Sequence, residues 1–332
     1  MKRIIATGGV ALLVIIICSS WGFLVHRTIH QLAIYELPER MQYFFHRNMS
    51  YIVKNSVRPD QRRNEDRDEA PKHFIDLELF GDSAAWKMPL KWNDALKKYG
   101  KDSLQKCGYV PYYVVTMKDR LTAAFRNGNK DSILFYAADL GHYISDAHVP
   151  LHVSENYDGQ LSNQKGLHSL WESTIPEIEL QQYDLRTHHK ARYLKHPERA
   201  IWAAIRQSYK LLGDVFAQEK AATQSFADTT KYRLQMRNGK EYKSYTSAFA
   251  KAYSARLGKT INEQLIRSAN LVADFWYTSW VDAGCPDLNK HIQSFVKKDE
   301  KHSLQEEQDA YKQNKLIEKK LLIAKQGKDT GE

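Results

Sequence analysis

Four residues in the middle of the chain have the types and the spacing of metal ligands. His142 and Asp146 are four residues apart, and His168 and Glu172 are also four apart. Residues four apart on a helix project from the same face, so each pair can hold one cation. A single histidine on a helix is more often structural than a ligand, but two such pairs so close in the sequence predict two metal sites.

His152 adds an imidazole between the two pairs. Pro150 should end the first helix and leave His152 on extended backbone, from which its side chain can turn toward the second pair. His148 follows Asp146 by two positions and therefore points away from the shared helix face. We interpret His148 as a structural histidine.

Sulfur ligands contribute little to any such site. The chain has three cysteines, one of them in an apolar N-terminal run, which excludes a cysteine-rich zinc finger and a disulfide scaffold. Imidazole and carboxylate ligands without thiolate suit zinc, and they also accept manganese or iron. Cys107 and Cys285 could form one disulfide after export, and their spacing leaves this open.

Four separated segments carry the candidate ligands. In chain order they are Trp21-Gly-Phe-Leu-Val-His26, Pro59-Asp60 leading to His73-Phe74-Ile-Asp76, the run from His142 to His152, and the pair His168 and Glu172. Together they resemble the motifs of a superfamily that contains the zinc-dependent bacterial phospholipases C and the fungal single-strand-specific nucleases of the P-one type. The resemblance spans residues 21–172, and the combination is far more specific than any one motif.

The resemblance implies an all-α fold of this phospholipase C and nuclease type, with three zinc ions. The first zinc is implied to bind Asp60, His73, His142 and Asp146. The second is implied to bind His152, His168 and Glu172. The third is implied to bind His26, Asp146 as a bridging carboxylate, and the free amino group and carbonyl of Trp21.

Two of these assignments have rivals in the sequence. Asp60 shares its polar segment with other acids, among them Asp66, Asp68 and Glu69. His30 lies four residues after His26 and shares its helix face, so only the spacing of the family motif favours His26.

The chemistry implied by such a centre is phosphoester hydrolysis. Zinc lowers the pKa of a bound water from roughly 15.7 to about 7, so a water between the first and third ions would supply hydroxide as the nucleophile. The second zinc, with fewer protein ligands, would stabilise the departing oxygen. Asp60 is expected to be a ligand first, and also the catalytic group that orients or deprotonates the water.

The signals for the substrate point in two directions. Glu172 in place of aspartate and the short loop at residues 156–166 resemble phospholipases C, whereas the spacing from Trp21 to His26 resembles the nucleases. Gln61 stands where phospholipases that read choline typically have an aromatic residue, and an amide cannot provide a cation–π face. Phe74 could stack on a base, although packing is the more frequent role of such a residue.

We therefore predict an exported, zinc-dependent phosphodiesterase of the phospholipase C type, with a single-strand-specific nuclease or 3'-nucleotidase as the alternative. Its partners would be phospholipid, with peripheral membrane contact, or single-stranded nucleic acid, and no protein partner is inferred. A non-catalytic helical protein stabilised by zinc is a third hypothesis. The second zinc argues against it, because three protein ligands leave a position open for water or substrate, as in catalytic zinc sites.

Helices must position these residues. Apolar residues recur at helical spacing and few runs alternate as in strands, as shown by Leu134, Ala137, Ala138, Leu140 and Ile144, and by Leu265, Ala269, Val272 and Trp276. No linker rich in proline, glycine or serine divides the chain, so residues 21–296 are predicted to form one all-α domain. The polar segments at residues 57–71 and 154–166 are predicted to be loops.

The N-terminus has the pattern of an export signal at residues 1–20. A basic start precedes a nearly apolar run at residues 10–18, and small residues come before Trp21. Cleavage after Ser20 would free the amino group of Trp21, and the mature protein would be periplasmic or secreted. An uncleaved anchor is the alternative, but the apolar run falls short of the ~20 residues that a spanning helix needs.

Charge and composition set the remaining limits. Lys and Arg number 49 against 39 Asp and Glu, and the net charge of +10 favours anionic partners such as phosphates, nucleic acid or lipid headgroups. An apolar fraction of 42% excludes a wholly disordered chain. Residues 297–332 are charge-dense with thinly spaced leucines, and we predict a charged tail that is a solvated helix or disordered.

Overall fold

The fold is built from α-helices, as the helical spacing of the apolar residues predicts. The structure is a computed structural model that describes residues 22–237, 240–288 and 298–326. Within these residues the α-helices are α1 (Phe23–Tyr35), α2 (Glu39–Arg47), α3 (Met49–Asn55), α4 (Arg58–Arg62), α5 (Ala84–Lys87), α6 (Trp92–Tyr99), α7 (Lys101–Cys107), α8 (Val110–Asn127), α9 (Lys130–Asp146), α10 (Leu167–Ser169), α11 (Ile175–Glu179), α12 (Pro197–Thr223), α13 (Asp228–Lys231), α14 (Ser247–Leu257), α15 (Thr260–Asp282), α16 (Lys298–Lys312) and α17 (Ile323–Gln326).

Shorter elements join these helices. The 3₁₀ turns are Ala70–Lys72, Leu77–Phe80, Pro150–Val153 and Leu180–Gln182, and a π-helical turn, Leu170–Thr174, connects α10 to α11. The strands are β1 (Tyr232–Arg237) and β2 (Lys240–Tyr245), which form an antiparallel hairpin. The sequence carries this signal in the alternation of Tyr232, Leu234 and Met236, a short departure from the predicted all-helical pattern.

Helix α9 lies at the centre of the fold, in contact with α1, α3, α8 and α15. On α15, the Trp276 indole is fully buried and donates a hydrogen bond to the Ala137 carbonyl over 3.0 Å. Helices α1 and α9 approach closely because Gly141 has no side chain, and a Cβ there would come within 2.2 Å of His30 Nε2. Most side chains of the C-terminal half of α9 are therefore buried, whether apolar or charged.

The two segments predicted as loops differ in the structure. Residues 154–166 form turns without a helix or strand, as predicted. Residues 57–71 instead contain α4 and the start of a 3₁₀ turn, because Pro59 sits at the first turn of α4, where proline is well tolerated. Cys107 and Cys285 are both free thiols. None of the helices described has the length and apolarity needed to cross a bilayer.

The C-terminal tail was predicted to be solvated, and for α16 and α17 this is wrong. Leu304, Tyr311 and Leu322 are buried, and α17 packs on α1. Tyr311 donates a hydrogen bond to Glu36 over 3.1 Å, and Glu307 accepts one from Tyr35 over 2.8 Å. The few apolar residues of the tail fall on one face, which α1 and its neighbours cover, while its many charges remain outside.

Replacing a buried leucine of α16 should test this packing. We expect Leu304→Ala to lower the free energy of unfolding by about 2–5 kcal/mol, because it leaves a cavity in place of a side chain that is 3% exposed. The matched control is Glu306→Ala on the exposed face, with a change within about 0.5 kcal/mol. Denaturant titration measures both, and equal values would mean that the tail is solvated.

Candidate metal centre

The first group of candidate ligands combines Asp60 on α4, His142 on α9, and His73, which directly follows the 3₁₀ turn Ala70–Lys72. Asp60, His73 and His142 each place one donor atom within 4.8 Å of the others. Asp60 Oδ1 lies 3.7 Å from both His73 Nδ1 and His142 Nε2, and these two nitrogens are 3.1 Å apart. The histidines are buried, whereas the Asp60 side chain is 30% exposed. Asp60 is thus the carboxylate of this group that solvent can reach.

Asp146, the last residue of α9, lies between two sets of histidines. Its Oδ2 is 2.8 Å from His73 Nδ1 and 3.4 Å from His142 Nε2. Its other oxygen, Oδ1, lies 3.6 Å from His26 Nε2 on α1. The His26 ring stacks on the His142 ring with centroids 4.2 Å apart. The two oxygens of Asp146 therefore face different donors, as a bridging carboxylate requires.

The second candidate pair, with His152, forms a separate group. His168 Nε2 lies 3.0 Å from Glu172 Oε2, and His152 Nε2 lies 3.5 Å from the same oxygen. The other oxygen of Glu172, Oε1, is 3.3 Å from His26 Nε2. Glu172, like Asp146, thus faces two groups of histidines, a connection that sequence spacing did not reveal.

The backbone around His152 differs from the prediction. His152 was expected on extended backbone, but it lies in the 3₁₀ turn Pro150–Val153. Helix α9 already ends at Asp146, four residues before Pro150, and Pro150 begins the turn, since its fixed φ suits a first helical position. The turn directs His152 Nδ1 at the His73 carbonyl, 2.7 Å away.

The orientation of the imidazoles fits metal ions. His142 Nδ1 donates to the Ser56 carbonyl over 2.8 Å, and His152 Nδ1 donates to the His73 carbonyl, so Nε2 of each ring is the nitrogen that offers a lone pair when the ring is neutral. His152 Nε2 and His168 Nε2 then face one another at 2.8 Å. Lone pairs and carboxylates that converge in a buried space are the donor set of a cation.

The charges of the site balance one another. The nearby histidines lower the pKa of Asp146 and of Glu172 despite their burial, so both carboxylates are anionic at neutral pH. Burial lowers the pKa of His152, but Asp146 and Glu172 outweigh it and raise that pKa to about 9. Burial lowers the pKa of His142 to about 3, which keeps this ring neutral. A cation that binds here must displace protons from histidine, so its affinity rises with pH.

A layer of charged residues supports His73 from behind. Glu69 Oε1 lies 3.6 Å from His73 Nε2, and Glu69 also accepts hydrogen bonds from Tyr143, Lys72 and Arg62. These partners lower the pKa of Glu69 below its ordinary value, although burial alone would raise it. Glu69 thus does not join the three groups, and it stands behind His73, a candidate ligand.

Arg62 extends this layer to α9. It reaches Asp139 Oδ2 over 2.8 Å, and Arg58 reaches Asp139 Oδ1 over 2.5 Å. The sequence analysis missed these three residues, although an acid three positions before His142 on an apolar helix was a signal that could have found Asp139. Asp139 holds α4, and with it Asp60, against α9.

The other histidines and acids considered in the sequence analysis lie outside the three groups of candidate ligands. Both ring nitrogens of His30 face backbone carbonyls, those of His26 and Ala138, at 2.7 and 2.9 Å, so His30 is not available as a ligand. His148 is buried outside the three groups and bonds the Ile144 carbonyl, as expected for a structural histidine. Asp66 and Asp68 are exposed.

The predicted signal peptide at residues 1–20 and the predicted ligand Trp21 lie outside the residues that the structure describes. The half-buried ring of Phe74 lies against Gly108, where a Cβ would come within 2.6 Å of the ring, which indicates a packing role.

The chain is similar to a known protein family and to solved structures. The model of the S1/P1 nuclease family matches residues 21–275. Among solved structures, the alpha toxin of Clostridium absonum is 14% identical, with a TM-score of 0.46, over 80% of this chain and 65% of its own. The alpha-toxin of an avian strain of Clostridium perfringens is 15% identical, with a TM-score of 0.40, over 77% of this chain and 64% of its own. The chain thus spans just under two thirds of the length of these two structures, and no curated protein sequence matches it significantly.

Removing the charge of Asp146 should reduce the zinc content of the chain more than removing a candidate ligand that belongs to one group only. We expect Asp146→Asn to lose more zinc per chain than His168→Ala, because its two oxygens face two groups of histidines. Metal analysis of the purified variants, with circular dichroism as the check on folding, measures the difference. Full zinc content in Asp146→Asn would rule out a bridging role.

The carboxylate behind His73 should set metal affinity without binding metal. We expect Glu69→Gln, which keeps the shape and removes the charge, to weaken zinc binding by about 10–100-fold. Asp68→Asn, an exposed neighbour, is the control and should leave the affinity unchanged. Competition with a chromogenic chelator measures both variants, and equal affinities would assign Glu69 a purely structural role.

Proposed function

The chain belongs to the S1/P1 nuclease family, and from this premise we propose that it is a phosphoric ester hydrolase that cleaves phosphodiesters with three zinc ions. The observation that carries the proposal is the pair of buried carboxylates, Asp146 and Glu172. One oxygen of each carboxylate faces His26, and the other oxygen faces a different group of histidines. A single structural metal site would not need two carboxylates that each contact two groups of histidines. Three adjacent cation positions account for both carboxylates.

The residues that would hold each ion follow from the geometry and the resemblance together. One position takes Asp60, His73, His142 and Asp146. A second takes His152, His168 and Glu172. The third takes His26 and Asp146, completed by the amino group and carbonyl of Trp21.

The chemistry divides between the ions and the chain. Bound zinc supplies Lewis acidity, which lowers the pKa of water and stabilises charge on phosphoryl oxygens. Asp60, the exposed carboxylate of its group, can orient an incoming water by accepting its proton in a hydrogen bond. His168, whose side chain is 29% exposed, lies at the edge where a leaving group can depart to solvent. The buried histidines hold their lone pairs in place through carbonyl bonds, so little reorganisation accompanies the reaction.

Export would be part of building this site. The basic start and apolar run of residues 1–20 support a cleaved signal, and the match to the family begins at residue 21. Cleavage after Ser20 would give Trp21 a free amine, whose ordinary pKa of roughly 7.7–8.0 lets zinc displace its proton near neutrality. The mature enzyme would then act in the periplasm or outside the cell.

Two substrate classes carry the phosphodiester that this chemistry needs. Single-stranded nucleic acid is favoured by the family match and by the net charge of +10. Phospholipid is favoured by Glu172 in place of aspartate and by the exposed Tyr157, whose ring lies 6.2 Å from the His168 ring. Zinc quantification, followed by hydrolysis assays on single-stranded oligonucleotides and on phospholipid vesicles, tests the proposal. A zinc-loaded enzyme that cleaves neither, nor a small soluble diester, would refute it.

An N-terminal extension isolates the role of Trp21. We expect an uncleavable Met-Ala before Trp21 to remove one of the three zinc ions and most of the phosphodiesterase activity, because an amide is a far poorer ligand than an amine. The control is a chain trimmed to begin at Trp21, with the same side chains. Zinc analysis and circular dichroism of both forms check the prediction, and equal zinc content and activity would make Trp21 a packing residue.

A further inference from the structure

The ring of His168 lacks the backbone contact that orients other candidate ligands. His142 Nδ1 donates to the Ser56 carbonyl over 2.8 Å, and His152 Nδ1 donates to the His73 carbonyl over 2.7 Å. Among the described residues, no carbonyl or carboxylate forms a hydrogen bond with Nδ1 of His168, whose side chain is 29% exposed. Histidine ligands are usually oriented through this second nitrogen. The direction of the His168 ring therefore depends on the backbone that carries it.

The helix that carries His168 is too short to hold its own first turn. Helix α10 has three residues, and Gly166, at its N-cap, has no side chain that could accept a hydrogen bond. Asp158 supplies the missing contacts. Its carbonyl accepts hydrogen bonds from the N–H groups of Gly166 and Leu167 over 3.0 and 3.3 Å. Its Oδ1 accepts one from the N–H of His168 over 3.4 Å. Residues 154–166 thus determine where α10 begins.

A tight turn connects Asp158 to Gln164. The N–H of Gln164 donates to the Gly159 carbonyl over 2.8 Å. Gly159 has a φ of 72°, and a Cβ there would come within 2.3 Å of the Gln164 carbonyl oxygen, so the turn requires glycine. Because Asp158 directly precedes this glycine, a shift of Gln164 moves the residue that fixes the start of α10.

Gln164 is held in turn by a buried carboxylate, that of Glu219 on α12. Nε2 of Gln164 donates to Glu219 over 2.5 Å and to the Phe216 carbonyl over 2.9 Å. Tyr245, the last residue of β2, donates to Glu219 over 2.9 Å and to the Gln164 carbonyl over 3.1 Å. Lys231 Nζ lies 2.8 Å from Glu219 Oε1. One carboxylate therefore joins α12, the hairpin and residues 154–166.

Stability alone is a poor explanation for this cluster. Glu219 is 1% exposed and Lys231 is 4% exposed, and the desolvation of two such charges offsets most of their attraction. Apolar residues of similar volume often stabilise a fold as well or better. An ion pair with several directed hydrogen bonds adds a defined geometry, because each donor has to meet its acceptor at about 3 Å. This favours a role in positioning.

We propose that Glu219 and Gln164 are positioning residues for His168. Through the turn at Gly159 they set the start of α10, and α10 in turn directs His168 Nε2 at Glu172, 3.0 Å away. Both residues lie outside the three groups of candidate ligands, so they act through the backbone and not by contact with an ion. The proposal rests on the metal centre proposed above, in which the second group holds one zinc ion.

Gln164→Met tests the link, because methionine keeps the length of the side chain and lacks the N–H donor. The substitution leaves Glu219 with its partners Lys231 and Tyr245. We expect one zinc ion of the zinc-loaded mature chain to bind about tenfold more weakly than in the wild type, as is typical when the support of a ligand is removed. Competition with a chromogenic chelator measures the affinity.

Gly159→Ala reaches the same turn by another route. It alters neither the charge nor the cluster around Glu219, and its added Cβ pushes against the Gln164 carbonyl. The same loss of zinc affinity is expected. This variant decides the matter if Gln164→Met fails to fold, which circular dichroism and thermal melts will show.

Tyr253→Phe is the matched control. It removes a buried hydrogen bond to the Val215 carbonyl on α12, next to the carbonyl that Gln164 contacts, and it leaves residues 154–166 untouched. Its melting temperature should fall while its zinc affinity remains that of the wild type. A loss of stability by itself would thus be told apart from a loss of positioning.

The outcomes separate this proposal from the proposed function. Wild-type zinc affinity in a folded Gln164→Met or Gly159→Ala variant would overturn the positioning role and make the cluster a structural anchor, as would an equal loss of affinity in Tyr253→Phe. A wild-type chain that binds zinc but does not hydrolyse bis(p-nitrophenyl) phosphate or any other diester would refute the proposed function, and the zinc affinities would still decide the positioning. A wild-type chain that binds no zinc would refute both.

Discussion

The structure depends on two buried carboxylates that are each shared between groups of histidines. Asp146 and Glu172 are both less than one tenth exposed, and an isolated charge in such a place would cost several kcal/mol. Each oxygen of both residues faces an imidazole nitrogen, so the negative charge is compensated only when all groups are assembled. The centre therefore forms as a unit, and the helices that carry it must reach their final packing together.

The arrangement of the helices follows from this requirement. Helix α9 has to be central because it brings His142 and Asp146 to the same buried place, and α1 has to approach it closely so that His26 can stack on His142. Gly141 permits that approach by leaving room for His30. Backbone carbonyls and Glu69 then fix the orientations of the rings.

Part of the outer surface exposes apolar side chains, whereas the centre buries charged ones. The centre is polar and lies beneath the surface, whereas residues 154–166 and the β1–β2 hairpin expose apolar side chains and are held at their base by Glu219 and Lys231. These two arrangements meet at His168, which is partly exposed and next to the cavity wall.

The sequence by itself determined the helical class and the ligand types, because helical periodicity and i, i+4 spacing are local properties. It placed His142 with Asp146 and His168 with Glu172, and the resemblance added Asp60, His73 and His26. Only the tertiary structure decided that Glu172 also faces His26, that Glu69 stands behind His73, and that Asp139 binds Arg58 and Arg62. These contacts join residues far apart in the chain, and their partners depend on how helices cross. The buried tail and the exposed hairpin were missed for the same reason, because burial is a property of the surface that a segment meets and not of the segment alone.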